Sequence, residues 1–234
     1  IRQYMGADDL INGKLRYCLW LKECPEDLMS SCDKLIVRLK NVANIRSNST
    51  KELTRKWALK PHLFTEDRQP DMEYLMLPVV SSEKRQYIPM AYIDSTVIAN
   101  TNSQMIPDAP IYVFGVLTSL IHSVWMKAVC GRLEMRFAYS ASVVYNTFPF
   151  PSISDTKKSE IEEAATNVLL ARENYPEKTL ADLYDPEKMP EDLRAAHEKL
   201  DAIVESCYPG APFPNDEARL ECLFKLYEKM TANK

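Results

Sequence analysis

The sequence predicts an α+β protein. A mixed, largely antiparallel sheet domain with packed helices covers residues 1–151, and a small all-α domain covers residues 152–234. Three observations carry this. The apolar pattern switches from a period of two before Pro151 to helical spacing after it. Phe148-Pro149-Phe150-Pro151 separates the two patterns, because prolines at alternate positions exclude helix and favour extended chain. The charge changes at the same place: residues 1–150 carry 18 Lys+Arg against 15 Asp+Glu, residues 151–234 carry 11 against 18.

Leu15–Leu21, rich in aromatic and apolar residues, reads as a strand. Pro25 with Glu26 and Asp27 reads as a helix start, since proline fits a first turn and acids favour the positive end of the helix dipole. Leu28, Cys32, Leu35, Ile36 and Leu39 continue that helix at the right spacing. Asn44–Lys51 reads as a loop, with Thr50 capping a short helix through Trp57. Strands are expected over Tyr74–Val80, over Gln86–Tyr92 and around Thr96–Ala99, with Pro78 and Pro89 limiting their regularity. Pro107 and Pro110 introduce one long apolar helix, about Ile111 to Val129, ended by Gly131. Extended chain is expected over Glu134–Tyr139 and Val143–Asn146. Three amphipathic helices follow Pro151. Asp155 opens one with Ile161, Ala164, Ala165, Val168 and Leu169 on one face. Pro190 opens the next with Leu193, His197, Leu200, Ile203, Val204 and Cys207. Asn215 caps the third, with Leu220, Leu223, Phe224 and Tyr227. Together they predict a small bundle, or an appendage packed on the first domain.

At 234 residues the chain can bury a real core and hold one or two domains. Its apolar content of 46% and charged content of 26% are ordinary for a soluble globular protein. No apolar run reaches the roughly 20 residues of a membrane span, and no membrane partner is expected. The longest run, Ile111 to Ile121, is interrupted by Gly115, Thr118 and Ser119. No signal peptide opens the chain, and a cytoplasmic location is expected. The first residue is Ile1 rather than Met, so the chain is expected to be a fragment lacking its N-terminal part. The six cysteines form no CxxC pair and the three histidines are scattered, so no metal site is expected and the cysteines are expected to be reduced. The net charge of −4 argues against nucleic acid, but residues 1–150 are net basic and can face phosphate.

Two segments about fifty residues apart are the most informative. The first is Val80-Ser81-Ser82-Glu83-Lys84-Arg85-Gln86-Tyr87-Ile88-Pro89. As a strand it places Glu83, Arg85 and Tyr87 on one side. A carboxylate and a guanidinium on one rigid face can read base edges: Arg suits guanine O6/N7 and Glu the cytosine amino group. The same pattern suits a cross-strand ion pair on a solvated sheet face. The second segment is Arg136-Phe137-Ala138-Tyr139-Ser140, running on to Val144–Pro151. Arg132 and Arg136 suit phosphate contact or salt bridges within the domain. From Lys40 to Lys60 there are six basic residues and one acid, which suits a phosphate-facing surface or a solvated helix face. His122 reads as a core histidine, or with Cys130 as part of an unrecognised enzyme site. No Gly-rich phosphate loop, GxSxG, HExxH or carboxylate cluster occurs.

Gly6-Ala7-Asp8-Asp9-Leu10-Ile11-Asn12-Gly13, Arg16-Tyr17-Cys18-Leu19-Trp20-Leu21 and His122-Ser123-Val124-Trp125 complete a pattern with these two segments. In order and spacing it resembles the target-recognition and C-terminal part of MmeI-like DNA methyltransferases, the single-chain type IIG (or IIL) restriction–modification enzymes. Leu180–Asp185 and Pro214–Arg219 also resemble that family's C-terminal region. The resemblance implies a module that reads duplex DNA for an adenine N6-methyltransferase whose target base is flipped out of the stack. It implies base-reading by Ser81, Ser82, Glu83, Lys84, Arg85 and Tyr87. Phosphate contacts would come from Arg46, Ser47, Lys51, Arg55, Lys56, Arg132, Arg136, Tyr139 and Ser140. The implied partners are double-stranded DNA and the methyltransferase domain upstream. That domain would bind S-adenosylmethionine, and a nuclease further upstream would need Mg2+. Neither cofactor is expected to bind this chain. Asn146-Thr147-Phe148-Pro149 lacks the paired prolines of the family's Asn-Pro-Pro-Tyr-type motif, so no catalytic role carries over to it. The competing reading is a protein-interaction or assembly module whose acidic helical tail contacts a partner subunit.

Overall fold

The structure is a computed structural model and describes residues 1–232. The chain opens with β1 (Arg2–Met5), α1 (Ala7–Asn12) and β2 (Tyr17–Cys18). The Gly6 N–H donates to Asp9 Oδ2 at 2.8 Å and starts α1, and Arg16 holds the same carboxylate. Gly13 ends α1 at φ 63°, a left-handed position that favours glycine. Then come α2 (Glu26–Ser30), α3 (Asp33–Ser47), α4 (Glu52–Lys56) and a 3-10 turn over Trp57–Leu59. The single helix expected from Pro25 is broken, because Cys32 adopts extended backbone (φ −114°, ψ 102°). Thr50 does not cap α4. Lys51 occupies that position without a side-chain hydrogen bond.

The strands β3 (Tyr74–Pro78), β4 (Val80–Ser81), β5 (Ala91–Ile93), β6 (Ile98–Ala99) and β7 (Ser103–Pro107) follow. β3 is buried on both faces. Leu75 and Leu77 enter the main core, while Tyr74 and Met76 form a second cluster with Leu10, as alternation along a strand requires. It is the central strand of an antiparallel β5-β3-β7 sheet. A second sheet, β2-β1-β6, includes the one parallel pairing observed among the described residues, β1 with β6.

The expected long apolar helix is two, α5 (Ile111–Thr118) and α6 (Leu120–Val129), bent by 59°. Ser119 breaks it with extended backbone (ψ 161°) and donates its hydroxyl to the Val116 carbonyl at 2.6 Å. No single described helix is long and apolar enough to cross a membrane. Gly131 caps nothing. It opens a hairpin, β8 (Gly131–Leu133) and β9 (Arg136–Ala138), which joins β4 in the sheet order β4-β9-β8. Extended chain was expected at Val143–Asn146, but Ala141–Tyr145 is a π-type helical turn.

After Pro151 the described residues form α7 (Asp155–Glu173), α8 (Leu180–Leu183), α9 (Glu191–Glu205) and α10 (Asp216–Ala232). Ser154 caps α7 through the Lys157 N–H, and Asn215 Oδ1 accepts from the Ala218 N–H at 2.9 Å. These helices pack on α5 and α6. Trp125 of α6 meets Phe224 and Tyr227 of α10 with ring centroids 5.1 and 5.8 Å apart. One hydrophobic core thus runs across Pro151, joining Phe114, Leu117 and Ile121 to Ile161, Leu193, Leu200 and Leu223.

Candidate nucleic-acid interface

The segment expected to read bases is not a strand beyond Ser81. The Arg85 N–H donates to the Ser82 carbonyl at 3.3 Å, and Ser82 Oγ accepts from the Lys84 N–H at 3.3 Å, closing a turn. Glu83, Arg85 and Tyr87 therefore share no strand face. The reason lies at the ends of the segment. β4 pairs with β9 over only two residues, Val80 with Ala138 and Ser81 with Phe137. Tyr87 then draws the chain into the core: it is 2% exposed, stacks on His197 at 4.1 Å, and donates its hydroxyl to Asp201 Oδ2 at 2.7 Å. Tyr87 is thus an anchor of the turn and cannot reach a groove of DNA. Burial keeps its phenol protonated far above the usual value.

The turn is anchored from the helical part of the chain. Asp201 of α9 accepts from Tyr87 with one oxygen and from the Leu120 N–H, at the start of α6, with the other at 2.7 Å. Burial pushes the Asp201 carboxyl up to about 7. His197, on the same helix, bonds the Tyr184 hydroxyl at 2.8 Å, and Arg172 donates to that hydroxyl and to the Met90 carbonyl. Nothing in the local sequence near Ser81–Tyr87 signals Asp201, because the contact spans 114 positions.

Arg85 does reach a groove. An open groove of about 440 Å³ has one wall of Ala7, Asp8, Ile11 and Asn12 from α1. Val80, Ser81, Ser82, Arg85 and Asn102, with Leu133 and Arg136 of the hairpin, form the rest. It brings together three of the expected base-reading residues and one expected phosphate residue. Arg85 is half-buried there, and its Nε has no hydrogen-bond partner. Burial lowers its pKa, and the charge of Asp185 acts in the opposite sense. Among the described residues Glu83 and Arg85 form no ion pair with each other, so the solvated-pair reading of this segment fails too. Asp8, Asn12 and Asn102 are groove residues the motif reading passed over. The Gly6–Gly13 motif was the one signal pointing towards the first two.

The expected phosphate residues divide. Arg46 is spent internally: its guanidinium donates to the carbonyls of Trp57, Lys60 and Leu63 at 2.8 to 3.1 Å. Arg55 donates to the Ser49 and Thr50 carbonyls, and Lys56 pairs with Glu52 at 2.9 Å. Ser47 and Lys51 are exposed and, like these three, do not line the groove. Arg136 is exposed beside the groove and pairs with Glu134 at 2.9 Å. Arg132 lies over the Phe137 ring at 4.6 Å. Tyr139 is buried with its hydroxyl 3.1 Å from His122 Nε2, so it cannot hold a phosphate. Ser140 is bonded to Ser142.

The enzyme reading around His122 and Cys130 also fails on geometry. His122 is fully buried, packs edge-on against Phe148, and burial depresses its pKa to about 3. Burial raises the Cys130 thiol, so neither group is an activated base or nucleophile. What remains is a recognition scaffold: small sheets and a turn that present an unpaired arginine in a groove.

Comparison with known proteins agrees with that class. Residues 1–152 match the family described as MmeI, target recognition domain, and residues 153–233 match MmeI, C-terminal domain. The chain belongs to the MmeI target-recognition family and carries its C-terminal domain. It is 44% identical over 230 residues to DNA methyltransferase A of Bacillus subtilis (strain 168), covering 98% of this chain and 26% of that protein. It also matches the solved structure of the type IIL restriction-modification enzyme MmeI in complex with DNA. That match has a TM-score of 0.97 and 42% identity, over 99% of this chain and 31% of that one. The chain thus spans about a quarter to a third of the length of these relatives.

Proposed function

We propose that this chain is the sequence-reading module of an adenine N6 DNA methyltransferase of the type IIG (IIL) restriction–modification class. It positions a separate catalytic domain, which binds S-adenosylmethionine, on double-stranded DNA in the cytoplasm. Residues 1–151 do the reading and residues 152–234 buttress them. The observation that carries this reading is Arg85, a half-buried guanidinium with an unpartnered Nε in the groove beside Arg136. A buried donor left without a partner is expensive unless a ligand satisfies it. The family match supports DNA as that ligand and disfavours the assembly-module reading.

The role of Glu83 with Arg85 keeps its chemistry and loses its strand geometry. In the turn they specify one G·C pair, Arg85 on guanine and Glu83 on the cytosine amino group. Arg132, Arg136 and Ser140 hold phosphates beside it, which fixes register without reading sequence. The test is the Glu83→Ala/Arg85→Ala variant of the intact enzyme, with methylated sites mapped genome-wide by single-molecule sequencing. Discrimination at one position of the motif is expected to fall by about 1–3 kcal/mol while methylation continues. An unchanged motif at unchanged efficiency sinks the reading.

A further inference from the structure

From Asn12 to Glu73, 62 consecutive residues, not one is buried. A segment of this length in a folded domain ordinarily hides an apolar stripe, as every amphipathic helix must. We propose that the helical part of this segment, residues 26–60, is a docking face for the catalytic part of the methyltransferase polypeptide, and that protein, not DNA, covers it. The proposal rests on the reading of the chain as a recognition module and adds where the rest of the enzyme seats.

The face exposes large apolar side chains to solvent. Leu28 is 58% exposed, Val37 56%, Ile45 72%, Leu53 70% and Leu59 89%. Between α2 and α3 runs an open groove of about 670 Å³, floored by Met29, Ile36, Leu39 and Ala43. α3 is 15 residues long and buries none of them. A helix of that length is marginal by itself in water and takes its stability from packing. Yet the segment is built: the Arg46 guanidinium ties α3 to the carbonyls of Trp57, Lys60 and Leu63. A prebuilt element with apolar groups on its open side is an interface awaiting its other half.

The chemistry selects the occupant. Interfaces with DNA are polar and strongly positive, and exposed Ile45, Leu53 and Leu59 gain nothing from phosphate. The basic groups here are partly spent, since Arg46 and Arg55 serve backbone carbonyls and Lys56 serves Glu52. Lys34, Arg38, Lys40, Lys51 and Lys60 stay exposed, while Glu26 and Asp27 line the groove beside Lys40. Exposed apolar groups on a segment with more basic than acidic residues fit a protein surface that is apolar with mostly acidic edges. Chain to supply it exists in the relatives, of which this sequence spans 26% and 31%. None of residues 26–60 lines the groove that holds Arg85.

Hydrogen exchange on the 234-residue chain and on the intact methyltransferase, each with and without a target duplex, tests this. Amides of residues 33–59 are expected to exchange at least tenfold more slowly in the intact enzyme without DNA. Equal exchange in both proteins overturns the proposal, and so does protection that appears only when duplex is added. Peptides over residues 80–86 and 131–140 report the reading of DNA separately. Their indifference to duplex would sink the recognition reading and leave the docking result standing. The Ile45→Glu/Leu53→Glu/Leu59→Glu variant supplies the second measurement. Its melting temperature as the 234-residue chain is expected to stay within a few degrees of the parent. In the intact enzyme the protection should disappear and methylation should slow at least tenfold at all sites alike. Retained protection with a parental rate overturns the proposal.

Discussion

Asp201 is a buried carboxyl that two donors claim. Its oxygens accept from Tyr87 and from the Leu120 N–H, yet burial wins and raises its pKa to about 7, with Glu205 adding to the rise and Arg219 opposing it. Raised above the ordinary aspartate value, it binds a proton more tightly in the folded chain than in the unfolded one. The folded state therefore holds more protons between about pH 4 and 7. Asp201's contribution falls as pH rises through that window and is constant above it. His122 and His197, held neutral by burial, act in the opposite direction as pH falls. The measurement is thus the difference in melting temperature between the parent and Asp201→Asn across pH 4 to 8. That difference is expected to shift in favour of the variant as pH rises, and a pH-independent difference would contradict the assignment. Tyr87→Phe removes the buried hydroxyl and leaves one Asp201 oxygen without its donor, with an expected loss of about 1–3 kcal/mol in denaturant unfolding. Because the same hydroxyl anchors the turn carrying Glu83 and Arg85, this variant of the intact enzyme should also relax its target motif.

At the scale of elements, contact distances decide more than propensity. Gly115 interrupts the apolar run of α5, and by sequence it reads as a weak point. In the fold it is where α5 meets α7: a Cβ there would lie 2.7 Å from Ile161 Cγ2 and 3.1 Å from Ala165 Cβ. Gly115→Ala is expected to destabilise by about 1–3 kcal/mol through overpacking, read as a lower melting temperature, although alanine is the better helix former. The β8–β9 hairpin turns through Glu134 at φ 58°, and Glu134 pairs with Arg136. Glu134→Gly relaxes the backbone and frees the Arg136 charge. DNA affinity of the intact enzyme is expected to rise at low salt, with the slope of log K against log salt steepening by about one. An unchanged slope would place Arg136 outside the phosphate contacts.

At the scale of the whole molecule, the two parts that meet at Pro151 share one core. Phe114, Leu117 and Ile121 pack with Ile161, Leu193 and Leu200, and Trp125 is covered by α10. Deleting residues 152–234 is expected to expose that face of α5 and α6, and the remaining chain should bind a hydrophobic dye and show no cooperative melt. A cooperative transition of residues 1–151 alone would show that the helices are dispensable for folding.

Several features were legible in the chain itself. Three of the four helices described after Pro151 were, because their apolar residues repeat at 3.6 over several turns and their starts are marked by Asp155, Pro190 and Asn215; the short α8 (Leu180–Leu183) was not. So was the α+β class, and so were the segments that identify the family. Their order along the chain is a property of sequence. Tertiary structure alone decided where short apolar or polar runs turn. It bent Ile111–Val129 at Ser119, where Asp201 caps the second helix, and it closed Ser82–Arg85 into a turn because Tyr87 has a partner on α9. It spent Arg46 on three carbonyls and left Arg85 unpaired, two arginines that look alike in a list of basic residues. The physical reason is the range of the interactions. Periodicity and capping act within a few residues, whereas burial, and the partners it brings together, join positions about a hundred apart.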